Sequence, residues 1–145
     1  MSGVALTGER RVTDRQPSIL ILDDEPGMLR AMKRWLGKRA QVTTTDDPAE
    51  ALRMLAVGDF DLVLCDCNMP RMGGFEFASA ARQLVPEMAK RIVIMTGEDR
   101  GQSWPSGQQV VVKPLRPETV NGLLASRGWP SVVTVRPPPP VGGRA

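Results

Sequence analysis

The sequence predicts an α/β fold in which a doubly wound parallel sheet of five strands carries helices on both faces. Two observations predict it. Five apolar runs of strand length alternate with stretches whose apolar residues recur at spacings of three and four, the pattern of successive βα units. Gly and Pro punctuate the boundaries between them. A chain of 145 residues suits one domain, whose core needs neither disulfides nor a structural metal.

The first strand is Ser18 to Leu22, ended by Asp23 and Asp24. A helix follows from near Pro26, with Leu29, Met32, Trp35 and Leu36 on one face and Gly37 as its stop. Gln41 to Thr45, rich in Thr and Val, reads as the second strand. Asp47-Pro48 is an N-cap and first-turn pair, so a helix carrying Ala51, Leu52 and Leu55 runs from there to Gly58. Leu62 to Cys65 is the third strand and runs straight into Asp66. The turn from Asn68 to Gly74 precedes a helix from Phe75 to about Leu84, with Gly73 and Gly74 read as turn residues. Ile92 to Met95 is the fourth strand, ending at Thr96, and Val110 to Val112 the fifth, ending at Lys113. Pro114 and Pro117 bracket a turn into a last helix that ends near Gly128.

The ends differ in composition from this middle. Residues 1–16 are polar with scattered Arg, and residues 130–145 include four consecutive prolines, which suit neither helix nor sheet. The sequence therefore divides into a flexible N-terminal tail (1–16), a folded domain (17–129) and a flexible Pro-rich C-terminal tail (130–145). The net charge of +3 sits in the tails, where five Arg face two acids, whereas residues 17–129 hold 14 basic and 14 acidic side chains. A neutral domain without a basic stripe does not fit nucleic acid as a partner. No apolar run approaches a membrane span or a secretory h-region, so a cytoplasmic protein that does not bind membranes is expected. Cys65 and Cys67, with no His anywhere, form no zinc pattern and read as reduced thiols packed in the core or at its edge.

The polar residues at the strand ends carry the chemistry. In open α/β sheets, ligands sit beyond the carboxyl ends of the strands. Asp23, Asp24, Asp66, Thr96 and Lys113 all fall there. Crowded carboxylates repel one another unless a cation neutralises them, and Mg²⁺, a hard ion that takes oxygen ligands and keeps waters, suits such a set. A lone Lys in that ring suits an anionic phosphoryl oxygen. Taken singly, each residue has a plainer reading: acids favour helix starts, and a Thr at a strand end often caps a turn. Asp66 is harder to explain so, because an acid directly after an apolar strand is costly without partners.

The segments ILILDDEP, VLCDCNMPRMGGFE, IVIMTG and VVVKPLRP resemble, in order, the signature segments of response-regulator receiver domains of two-component signalling, over Ser18 to about Gly128. The resemblance implies the flavodoxin-like strand order 2-1-3-4-5. It makes Asp66 the phosphoacceptor, Asp23 and Asp24 the acidic pair for Mg²⁺, and the backbone carbonyl of Cys67 or Asn68, with Asn68 favoured, a further metal ligand. Thr96 then hydrogen-bonds one phosphoryl oxygen and Lys113 pairs with another, while the Lys113–Pro114 bond is expected to be cis. The donor in this family is a phosphohistidine on a histidine kinase or histidine phosphotransfer protein, which must be a partner because this chain has no His. The downstream protein is not indicated.

Two departures from the family pattern stand out, and one further likeness. Only 16 residues separate Thr96 from Lys113, with no amphipathic period among them, so the fourth helix is expected to be missing or reduced. Val110 stands where many receivers carry an aromatic residue whose rotation follows the hydroxyl residue. Asn68 and Glu98, two residues after Asp66 and Thr96, resemble the pair of chemotaxis-type receivers with short-lived phosphoryl groups, which implies fast autodephosphorylation. The expected function is that of a stand-alone receiver that signals by phosphorylation-dependent partner binding or phosphorelay, and catalyses only its own phosphorylation and dephosphorylation. The alternative is a receiver-like scaffold that binds a partner without phosphorylation. A metal-dependent phosphatase fits less well, because such enzymes usually want an acid where Asn68 stands.

Overall fold

A computed structural model describes residues 16–97, 105 and 107–129. The elements run β1 (Ser18–Leu22), α1 (Pro26–Leu36), β2 (Gln41–Thr45), α2 (Pro48–Val57), β3 (Leu62–Asp66), α3 (Gly74–Leu84), a 3₁₀ helix (Pro86–Arg91), β4 (Ile92–Thr96), β5 (Gln109–Val112) and α4 (Pro117–Ala125). All strand pairings are parallel, in the order β2-β1-β3-β4-β5. Both the doubly wound sheet and the strand order therefore agree with expectation.

Alternation along the strands splits the core into two layers. Ile19, Ile21, Leu62, Leu64, Val93 and Met95 pack against Met32 and Leu36 of α1 and Val120, Leu123 and Leu124 of α4. Leu20, Leu22, Val63, Cys65, Ile92 and Ile94 pack on the other side against Ala51 and Leu55 of α2 and Phe77, Ala78 and Ala81 of α3. The three central strands are buried on both faces, which is why they read as continuous apolar runs rather than alternating ones.

Local chemistry sets the helix ends. Pro26 opens α1, and Lys33 and Arg34 in its last turn complement the negative end of the helix dipole. The Asp47 carboxylate accepts the Ala49 N–H at 3.0 Å, capping α2 as the sequence implied, an interaction that stabilises by about 1 kcal/mol. Gly128, at φ +90°, ends the turn after α4, and Trp129 behind it is buried in the α1–α4 layer.

Several features differ from the sequence reading: β5 starts at Gln109 rather than Val110, and the last helix ends at Ala125 rather than near Gly128. The helix expected from Phe75 starts at Gly74. The 3₁₀ helix was not anticipated. It buries Met88, and the Arg91 guanidinium that closes it donates to the Phe60 carbonyl at 2.8 Å. Six residues with one apolar anchor give no period to read. The expected loss of the fourth helix, residue Glu98 and both tails fall largely on residues 98–104 and 106, 1–15 and 130–145, outside the described residues. Among those described, no helix stands between β4 and β5.

Candidate functional site

The carboxyl edge of the sheet brings five predicted residues together. Asp23 follows β1 with no exposed surface, its backbone N–H held by the Thr45 carbonyl at 3.2 Å and its Oδ1 accepting the Glu25 N–H at 3.0 Å. Asp24 beside it is exposed, Asp66 ends β3 at 6% exposure, and Thr96 ends β4 at 5%. Lys113 follows β5, where its N–H donates to the Thr96 carbonyl at 2.7 Å. Its ammonium reaches back across the edge, 3.0 Å from Asp66 Oδ1 and 3.1 Å from Asp23 Oδ2. Lys113–Pro114 is cis, as expected.

Burial dominates the electrostatics. It pushes the Asp66 carboxyl above its ordinary range; the Lys113 hydrogen bond opposes this, while the nearby Asp23 and Asp24 charges reinforce it. For Lys113, burial acts against the charged form, yet its hydrogen bonds to Asp66 and Asp23 outweigh that and raise its pKa. One ammonium therefore serves a pocket with three carboxylates, a charge deficit that favours a further cation.

The donor set fits a hard divalent ion. Asp23, Asp24 and Asp66 each offer a carboxylate oxygen, and these oxygens lie within 4.8 Å of one another. The Cys67 carbonyl already accepts the Gly74 N–H at 2.9 Å, which favours the neighbouring Asn68 carbonyl as the backbone oxygen for such an ion.

One contact was not read from the sequence. Gly74 was taken for a turn residue, but it is the first residue of α3 and presses on the acceptor's backbone: a Cβ there would lie 2.6 Å from the Asp66 carbonyl oxygen and 3.0 Å from Cys67 Cα. Only glycine fits. Cys67 was taken for packing, and it lies partly buried against the α2–α3 core layer.

Comparison with known proteins decides the family. The family model described as the response regulator receiver domain matches residues 19–121. The chain belongs to the response regulator receiver family. Receiver domains are signalling modules of two-component systems that bind Mg²⁺ at an acidic pocket. Among curated relatives, the hydrogenase transcriptional regulatory protein HoxA of Cupriavidus necator is 27% identical over 81% of this chain and 26% of its own length. The cyclic di-GMP phosphodiesterase response regulator RpfG of Xanthomonas campestris is 33% identical over 75% of this chain and 31% of its own. This receiver chain thus spans about a quarter to a third of those two relatives. Among solved structures, the chemotaxis protein CheY4 of Vibrio cholerae aligns at 28% identity with a TM-score of 0.67, covering 78% of this chain and 99% of that one. The response regulator protein TrrA of Thermotoga maritima, solved in complex with Mg²⁺-BeF, aligns at 26% identity and 0.66, covering 77% and 99%. No helix among the described residues is long and apolar enough to cross a membrane.

Proposed function

We propose that this receiver accepts a phosphoryl group on Asp66 from the phosphohistidine of a histidine kinase or phosphotransfer protein, and signals by phosphorylation-dependent partner binding or by passing the group along a relay. The observation that carries the reading is the double contact of Lys113 with Asp66 and Asp23 across three strand ends. Asp23, Asp24, Asp66 and the Asn68 carbonyl would hold Mg²⁺, whose charge would offset that of the carboxylates and of the phosphoryl group.

The chain's own residues do the rest. Asp66 supplies the attacking carboxylate oxygen, and Lys113 holds it within hydrogen-bond reach of a fixed positive charge. As the phosphoryl group passes to Asp66, Lys113 keeps its charge and pairs with a phosphoryl oxygen, and the Thr96 hydroxyl donates to another. Pinning Asp66 between the β4 ladder and Gly74 fixes the acceptor in position, which is the main contribution a protein makes to phosphoryl transfer. Asn68 is exposed beside the acceptor, and with Glu98 it modulates loss of the phosphoryl group.

Incubation with acetyl phosphate and Mg²⁺ tests this. Uptake that disappears in Asp66→Ala supports phosphotransfer; no uptake by the unaltered chain would leave a scaffold that binds its partner without phosphorylation.

A further inference from the structure

β5 is a four-residue edge strand, Gln109–Val112, with β4 as its neighbour in the sheet. Its last three residues are all Val. Val110 packs with the α2–α3 layer and Val111 with the α1–α4 layer, so a shift of one residue would bring Val111 and Val112 to the same two places with little loss of apolar burial. Alternation therefore leaves the register of this strand open, although the site depends on it. With Val112 opposite Thr96, the Lys113 ammonium lies 3.0 Å from Asp66 and 3.1 Å from Asp23. A one-residue slip would carry Lys113 about 3.3 Å along the strand and turn its side chain towards the other face of the sheet.

The amino end of β5 carries the information that the valines lack. Gln108 stands one position before the Val93–Gln109 pair. Its side-chain nitrogen donates to the Ile92 carbonyl at 2.9 Å, adding a rung to the ladder, and to the Gln109 carbonyl at 2.9 Å, while its Oε1 accepts from Arg82 of α3 at 3.4 Å. Gln109 Oε1 accepts from Arg127 at 3.1 Å, and the same guanidinium nitrogen donates at 3.0 Å to the Lys90 carbonyl, on the chain entering β4. The other terminal nitrogen of Arg127 donates to the Leu123 carbonyl at 2.8 Å and the Ser126 hydroxyl at 3.2 Å. All four of these acceptors are neutral, and the Arg127 Nε is buried without a partner. A charge held in that way is a poor source of stability; what it supplies is a fixed placement of the β5 entrance against α4 and the start of β4.

We propose that Gln108, Gln109 and Arg127 lock the register of β5 and are thereby positioning residues for phosphoryl transfer, acting through Lys113 at the opposite end of the strand. The inference rests on the phosphoacceptor reading of Asp66. A slipped strand could remake its backbone ladder and its valine packing, but neither glutamine would meet its partners: Gln108 would leave the Ile92 carbonyl and Gln109 the Arg127 guanidinium. The slip is thus opposed at the amino end by side-chain hydrogen bonds and at the carboxyl end by the Lys113 ion pairs.

The test follows phosphoryl uptake by the full chain at saturating acetyl phosphate with Mg²⁺, well below the melting midpoint. Gln108→Met and Gln109→Met, which keep the side-chain length and lose its hydrogen bonds, should each slow uptake by about five- to ten-fold. Gln109→Glu, which returns an acceptor to Arg127, should restore the parent rate to within about two-fold. In a Lys113→Met background, Gln108→Met should slow the residual rate no further, because the group it positions is gone. NMR contacts between the β4 and β5 amides should show the shifted register as the major form of the methionine variants, since a five-fold loss leaves about one molecule in five in register. Arg127→Lys, which keeps the charge but cannot hold four acceptors, serves if a methionine variant fails to fold. Parent rates, a single unshifted register, or equal slowing with and without the Lys113 ammonium overturns the lock and leaves the phosphoacceptor reading intact. No uptake by the unaltered chain overturns both.

Discussion

The Lys113 ammonium lies 3.0 Å from Oδ1 of Asp66 although 47 positions separate the two residues, because β5 and β3 both end at the same edge of the sheet. The same nitrogen contacts Asp23, whose side chain is fully buried. A buried carboxylate that loses the ammonium paired with it keeps its desolvation cost without the compensating attraction. Lys113→Met is therefore expected to destabilise the metal-free domain by about 2 kcal/mol in urea unfolding, and to slow phosphoryl uptake by at least about ten-fold. Unchanged stability would show that the ion pair is idle in the resting fold.

Asp66 itself is held at a cost. Its pKa in the fold lies above the ordinary 3.8, mainly because burial disfavours the charge, so the penalty is absent below that value and complete once pH has risen through the folded-state pKa. Asp66→Asn should then raise the melting midpoint of the metal-free domain at pH 7 by about 3 °C, what roughly 1 kcal/mol produces in a domain of this size. The gap between variant and parent should shrink as pH falls towards 3.8. Added Mg²⁺ should raise the parent's midpoint more than the variant's. A gap that widens in acid would reverse the sign of the argument.

Gly74→Ala forces a Cβ against the Asp66 carbonyl oxygen, where neither backbone can yield cheaply. It should cost about 2–3 kcal/mol of stability and displace the acceptor, slowing phosphorylation. Gly122→Ala is the control. That position lies inside α4 with nothing within 4 Å of a new Cβ, so alanine there should stabilise by roughly 0.5–1 kcal/mol. Equal effects at the two sites would remove the close approach as the reason for Gly74.

How much of this was legible in the sequence follows from what each residue reports. Leu62 to Cys65 announced a strand buried on both faces, and Asp66 directly after it announced a polar site, because both statements need only the order of residues along the chain. The strand order was not legible from periodicity. It came from the resemblance of four segments to a known family, since nothing in a βα repeat says on which side of β1 the next strand will lie. The role of Gly74 escaped because it depends on how closely one segment approaches another, a distance that composition does not encode. The Pro86–Arg91 turn escaped for a different reason: its one anchor, Met88, has no periodic companions.

The most direct measurement localises the phosphoryl group. The protein is incubated with Mg²⁺ and either acetyl phosphate or a phosphohistidine donor, the acyl phosphate is reduced with borohydride, and the tryptic peptide Met54–Arg71 is sequenced by mass spectrometry. That peptide holds Asp59, Asp61 and Asp66 as internal controls. Modification confined to Asp66, lost on chelating the metal and in Asp66→Ala, is the predicted result. Modification at Asp59 or Asp61, or none in the unaltered chain, would contradict the account.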